Sequence, residues 1–392
     1  MGDMIKMVAV DFGASSGRVM LGTLDGGKLG LEEIHRFSND PVQVGKNFHW
    51  DTLRLFHEIK QGLLKCKLSG NRDIDSMAID TWGVDFGLLD KDGNLLGNPY
   101  HYRDSRTDGM MEEIDKIIPR EQLFAATGIQ SMFFNTILQL YAMKHYGSPL
   151  LDISETLLLT PDLFNYFLTG EMKSEYSIAS TTQLLDPEKR QWAFEIIEKL
   201  GLPSKIFTEI VAPGTVIGKV SEQIAKELDV PQIPVIATAS HDTQSAIAAV
   251  PADSEDFVYI SCGTWSLMGV ETDQPVINDQ TRTLAFSNEG GVNGKINLLK
   301  NIMGLWLVQQ CKAQWDREGN TKSFMELEML AKDEENFDSF IDPDHESFIA
   351  PDNMPEAIKK YCQDTGQKVP ETQGQIIFCV VQSLAIKYAD TV

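Results

Sequence analysis

Met7-Val8-Ala9-Val10-Asp11-Phe12-Gly13-Ala14-Ser15-Ser16-Gly17-Arg18-Val19-Met20-Leu21 decides the architecture. An apolar run, a turn of small residues and a second apolar run predict a β-hairpin. Glycines let a backbone approach a phosphate closely, and successive turn N–H groups can form an anion nest. Ser15 and Ser16 add hydroxyl donors, Arg18 adds charge, and Asp11 is a candidate for holding Mg²⁺ through water. An ordinary hairpin turn is the plain alternative. Gly13 to Gly17 also fits G-x-S-x-G, but a hydrolase elbow needs a helix immediately after it, and Val19-Met20-Leu21 reads as a strand. No G-x-x-x-x-G-K-[ST] sequence occurs, which removes a P-loop nucleotide site.

The same design recurs later. Phe257 to Ser261 reads as a strand, Cys262-Gly263-Thr264-Trp265-Ser266 as a small-residue turn, and Leu267 to Val270 as a strand. A polar break, Pro251 to Asp256, precedes it. The chain is therefore expected to form two domains of related design, 1–250 and 251–392, each opening on a hairpin. The second turn is either another phosphate-facing loop or a plain hairpin.

Between the two hairpins, a helix is predicted after Asp51, from Leu55, Ile59 and Leu63. A strand is predicted at Met77–Ile79, a hairpin around Lys91-Asp92-Gly93-Asn94, and a helix opened by Thr160-Pro161 and closed by Gly170. Pro234 to Thr238 reads as a buried strand and Ser245 to Val250 as a helix.

Ser240-His241-Asp242-Thr243 lies between that strand and helix. A carboxylate at a helix start meets the positive end of the dipole and is expected to stay ionised. Such a group can take a proton from a hydroxyl during phosphoryl transfer. Helix capping is the alternative role for Asp242. Asp80-Thr81-Trp82-Gly83-Val84-Asp85-Phe86 and Tyr102-Arg103-Asp104-Ser105-Arg106-Thr107 set polar groups beside aromatics, which suits a sugar, or an exposed turn with a structural Trp. Asn301 to Gln309 reads as a helix, mostly core, with Asn301 and Gln309 as candidate polar contacts.

With 392 residues the chain is long enough for two to three domains. The net charge of −23 argues against nucleic acid or anionic membrane as partner. Met1-Gly2-Asp3-Met4 leads into a strand with no basic leader, and no apolar run could span a bilayer. The five cysteines form no CxxC pair, so a zinc site is not expected and a reducing cytosol is. Cys362 and Cys379 are the closely spaced pair, which leaves a bridge between them open. Ile377, Val381, Leu384 and Tyr388 form an apolar stripe at helical spacing, and the chain stops at Val392 without a capping glycine, as if inside an element.

Taken together and in this order, these motifs resemble the FGGY family of carbohydrate kinases. The resemblance rests on Asp11–Arg18, Thr81–Phe86, Tyr102–Thr107, Ser240–Thr243, Gly263–Gly269 and Asn301–Gln309. It implies an α/β, two-domain actin-like (ribonuclease-H-like) ATPase fold. It implies MgATP-dependent phosphorylation of a small sugar, L-rhamnulose at its 1-hydroxyl, with L-fuculose, D-xylulose or glycerol, or sugar binding without catalysis, as alternatives. Carried onto this chain, Ala14, Ser15, Ser16, Gly17, Arg18 and Thr264 would touch ATP phosphates, with Gln309 on the nucleotide side. Gly83, His241, Asp242, Thr243 and Asn301 would contact the sugar, and Asp242 would be the base. Similar chains carry cysteines at the places of Cys362 and Cys379. Family chains also continue further, with a glycine-rich turn under the adenosine, so the second domain is expected to be incomplete.

Overall fold

The computed structural model describes residues 4–254, 256–349 and 351–392; Met1-Gly2-Asp3 and Glu255 of the polar break lie outside them. The chain divides into two compact units, one of Met1–Pro251 with Glu271–Leu298, the other of Ala252–Val270 with Leu299–Val392.

The first unit is built on a six-stranded sheet. In chain order its elements include β1 (Ile5–Phe12), β2 (Ser16–Asp25), β3 (Lys28–Ser38), α1 (Thr52–Leu68) and β4 (Ser76–Thr81). These are followed by β5 (Phe86–Leu89), α2 (Thr136–His145), β6 (Thr156–Leu159), α3 (Thr160–Thr169) and α4 (Tyr176–Ser180). Then come β7 (Val216–Lys219), β8 (Pro234–Ile236) and α5 (Asp242–Ala248). The strand order is β7-β8-β4-β1-β2-β3. Antiparallel β1 and β2 pair Asp11 with Arg18, while parallel β1 and β4 pair Asp11 with Asp80. Register alone thus sets an arginine on one side of Asp11 and a carboxylate on the other.

The hairpin forms as its alternation demands. Val8, Val10, Phe12, Val19 and Leu21 are buried, and α1 lays Leu55, Ile59 and Leu63 on the same core. Asp51 caps α1, its side chain accepting from the Arg54 amide. Gly170 ends α3 at φ 84°, a conformation that glycine adopts without penalty. Leu89 bridges Leu95 across the Lys91–Asn94 turn, and β5 pairs with β6.

In the second unit, β9 (Tyr259–Cys262) and β10 (Trp265–Thr272) form the second hairpin, with Cys262 opposite Ser266. Both hairpin tips close in one way: the Gly13 amide donates to the Ser16 carbonyl at 2.9 Å, and the Gly263 amide to the Trp265 carbonyl at 2.8 Å. Further on run β11 (Ser287–Gly290), β12 (Ile296–Met303), α6 (Trp306–Arg317), α7 (Phe324–Lys332), α8 (Met354–Asp364) and α9 (Gln373–Thr391). The chain passes between the units after Pro251 and again within β10 and β12.

Two local expectations change. Asn301–Gln309 is not one helix: Asn301 lies in β12, and α6 starts only at Trp306. β12 is buried on both faces and lacks the alternation that marks a half-buried strand, so its apolar run looked helical. Gly304 makes the break, since a Cβ there would stand 2.8 Å from the Ser266 amide nitrogen. In α9 the stripe turns by one residue: Ile376, Ile377, Val380 and Leu384 are buried, while Val381 is 49% exposed. Cys362 and Cys379 are buried free thiols in mutual hydrogen-bond contact.

Candidate active site

The end of β4 runs beside the Ser240–Thr243 segment. The Thr81 amide donates to the Ser240 carbonyl at 2.9 Å, and Thr81 bridges His241. The Thr81–Phe86 and Ser240–Thr243 motifs, far apart in sequence, therefore share one edge of the first unit.

The first of them is held from within. Val84 has φ 68°, and among the described residues it is the one β-branched residue in the left-handed region. Such a conformation costs about 1–3 kcal/mol and persists only where neighbours enforce it. Here the Val84 amide donates to Thr181 Oγ1 at 3.1 Å, and its carbonyl accepts from Thr136 Oγ1 at 2.6 Å. Gly83 has no room for a larger residue, since an added Cβ would sit 3.1 Å from both Cγ2 and Oγ1 of Thr181. Trp82 is not exposed: its ring packs on Trp50 with centroids 4.0 Å apart, and both indoles donate to Asp85 Oδ2, at 2.9 Å and 2.6 Å. Arg103 lies over the Tyr102 ring, and the Tyr102 amide also reaches Asp85.

His241, rather than Asp242, occupies the cap position of α5, and Asp242 is the first helical residue. Asp242 Oδ1 accepts from the Thr243 amide at 2.6 Å and from Thr243 Oγ1 at 3.3 Å. His241 Nε2 lies 3.5 Å away from the same oxygen. The dipole does not keep this carboxylate at its ordinary acidity. Burial raises its pKa, His241 and the Thr243 amide pull it down, Asp11 pushes it up again, and the net direction is upward. A carboxylate so shifted holds a proton more firmly and is a stronger base.

Behind the segment stands Glu175, fully buried. It accepts from the Ser177 and Ile178 amides at 2.8 and 3.0 Å and from the Ser240 amide at 3.1 Å. The His241 amide donates to Ser177 Oγ at 3.2 Å. The backbone presenting Asp242 is thereby anchored on two sides.

Asp11 pairs with Arg18, Nε to Oδ2 at 3.2 Å. Asp80 hydrogen-bonds Asp11 and Ser245, and burial followed by the charges of Asp11 and Asp242 raises its pKa well above the usual range. Three carboxylates therefore feel one another. Of the turn residues, Ser15 offers its carbonyl to the Asn39 amide at 3.1 Å. Gly17 is required by packing, since an added Cβ would meet the Phe37 ring at 2.3 Å. Ala14 and Ser16 complete the tip. In the second unit, Thr264 Oγ1 donates to Gln309 Oε1 at 3.3 Å, so the two residues expected on the nucleotide side meet. Asn301 is half-buried in β12.

Glu289 escaped the sequence reading. It lies 2.9 Å from His241 Nδ1 and accepts from Gln244 Nε2 at 2.8 Å. A lone Glu in Ser287-Asn288-Glu289-Gly290 carries no local motif. Asp80 stood in a motif but without a role, and only the β1–β4 register brings it to Asp11.

Each unit thus carries a hairpin tip, and the first holds a buried carboxylate cluster. The xylulose kinase from Lactobacillus acidophilus has this fold, with a TM-score of 0.77 at 14% identity over 98% of this chain and 78% of that one. The glycerol kinase from Plasmodium falciparum matches with a TM-score of 0.70 at 14% identity over 85% of this chain and 67% of its own. The models of the FGGY family of carbohydrate kinases match in both parts, the N-terminal domain at residues 6–249 and the C-terminal domain at 258–392. The chain belongs to the FGGY family of carbohydrate kinases. It is 48% identical to the rhamnulokinase of Bacteroides thetaiotaomicron, over 97% of this chain and 77% of that protein. With the rhamnulokinase of Oceanobacillus iheyensis it shares 43% identity over 98% of this chain and 80% of the relative. Among the described residues no helix is long and apolar enough to cross a membrane.

Proposed function

We propose that this kinase phosphorylates L-rhamnulose at its 1-hydroxyl, with ATP as donor and Asp242 as general base. The observation that carries the base assignment is the Asp242 carboxylate, fixed by the Thr243 amide at 2.6 Å and raised in pKa, beside His241. The rhamnulokinase relatives, alike over nearly the whole chain, support the choice of sugar. In this reading the chain works as two domains, 1–250 and 251–392. Gly83, His241, Thr243 and Asn301 orient the sugar so that one hydroxyl faces Asp242. Ala14 to Arg18 and Thr264, with Gln309, hold the phosphate tail. Catalysis is then positioning plus removal of one proton.

Mg²⁺ fits this donor set. Asp11 is a hard oxygen donor with Arg18 as the cation paired with it, and Asp80 hydrogen-bonds it from the neighbouring strand. Among the described residues no three acidic, His or Cys side chains converge as direct ligands, so Asp11 would hold the ion through water. When bound, Mg²⁺ supplies charge neutralisation on the phosphates. A cytoplasmic location is consistent with ATP as co-substrate and with five free cysteines.

A coupled ADP-release assay with L-rhamnulose, L-fuculose, D-xylulose and glycerol tests the substrate. The highest kcat/KM is expected for L-rhamnulose. Preference for another sugar would overturn the substrate, and sugar binding without turnover would overturn the activity.

A further inference from the structure

We propose that Glu289 is a positioning residue for the phosphoryl transfer: its buried carboxylate pairs in charge with His241 on the Nδ1 side and so holds the imidazole beside the carboxylate of Asp242. The proposal rests on the assignment of Asp242 as base. Glu289 is 5% exposed and His241 7%, and 2.9 Å separates the carboxylate from Nδ1. The carboxylate is itself held, since Gln244 Nε2 donates to it at 2.8 Å and Asn297 Nδ2 donates to Gln244 Oε1. β11 is pinned where it delivers Glu289. The Gly290 amide donates to Ser180 Oγ at 2.8 Å, and the absent Cβ of Gly290 lets the Tyr176 ring lie within 2.4 Å of that place. None of these contacts is needed merely to close a strand.

The ring is bracketed, with Glu289 at Nδ1 and Asp242 3.5 Å from Nε2. The charged groups facing it are Glu289 from β11, Asp242 from its own helix and Glu175 from the segment before α4. Burial by itself favours the neutral ring, but these three carboxylates outweigh it and raise the pKa of His241. An imidazolium carries positive charge toward both carboxylates, which a neutral ring does not. Its charge offsets the upward push that burial and Asp11 exert on Asp242. Glu289 thus acts on the base through His241.

The test is Glu289→Gln, which keeps the volume and an acceptor for Gln244. The titration of His241 is followed by NMR in the histidine-labelled protein, its signal among the seven histidines assigned by its loss in His241→Gln. The pKa of His241 is expected to fall by about one unit or more. Glu289→Asp, which keeps the charge, should retain most of the wild-type value and serves if the Gln variant does not fold. In kinetics, Glu289→Gln should move the acid limb of kcat/KM to higher pH, because Asp242 loses its neighbouring cation. In a His241→Gln background it should move it no further. An unchanged His241 titration, or an equal shift of the acid limb without His241, would overturn the proposal. The NMR arm needs no turnover, so it decides the role of Glu289 even if L-rhamnulose is not the substrate.

Discussion

The Trp82 indole donates to Asp85 Oδ2 at 2.9 Å, across the turn that Val84 makes at φ 68°. Oδ2 also accepts from Trp50 and from the Tyr102 amide, while Oδ1 accepts from Gln139 at 2.9 Å. This carboxylate organises the Thr81–Phe86 loop. Asp85→Asn would set an amide N–H₂ against the Gln139 donor and is expected to cost about 1–3 kcal/mol at pH 7. Urea melts measure it.

The same residue gives a pH dependence with a definite sign. Burial raises the Asp85 pKa from 3.8 to about 6, against the hydrogen bonds that lower it. Between those values the folded chain binds a proton that the unfolded chain does not, so this group adds stability as pH falls through 6. The stability gap between wild type and Asp85→Asn should widen by about 1 kcal/mol from pH 7 to pH 5. A gap that narrows would contradict a pKa of Asp85 raised by burial.

Gly83→Ala would force Thr181 aside, since its Cγ2 and Oγ1 stand 3.1 Å from the new Cβ. Thr181 Oγ1 is also the acceptor that holds Val84. KM for the sugar is expected to rise by about tenfold, more than kcat falls. Adding Thr181→Ser, which keeps the hydroxyl and removes Cγ2, should recover part of the loss. No recovery would mean that the loop is not tuned through this contact.

Gly304→Ala should act in the second unit. A Cβ there would stand 2.5 Å from Ser266 Oγ and 2.8 Å from its amide nitrogen. The Gly304 and Trp306 amides both donate to the Thr264 carbonyl, so the tip carrying Thr264 must move. Nucleotide affinity, read by calorimetry, is expected to fall while sugar affinity holds. Equal loss of both would point to general unfolding instead.

Local pattern was enough for the hairpin at Asp11–Arg18, for α1 with its Asp51 cap, and for α3 between Pro161 and Gly170. Each is fixed by residues within one turn or one strand of each other. β12 was not legible, because a strand buried on both faces has no alternation to display. Within the site, Asp242 and His241 sat in a recognisable tetrad. Glu289 and the pairing of Asp80 with Asp11 depend on strands distant in sequence, and only the tertiary register brings them in. The Gly17 position shows a different limit: its glycine looked like a phosphate feature, and Phe37 accounts for it sterically.

The central claim is that Asp242 takes the proton from the sugar hydroxyl. The rate of L-rhamnulose-dependent ADP formation by wild type and Asp242→Asn, at saturating MgATP and sugar, tests it most directly. The asparagine variant should lose about 10²–10⁴ in kcat while binding the sugar with little change in Kd. Turnover within a few-fold of wild type in Asp242→Asn would contradict the assignment.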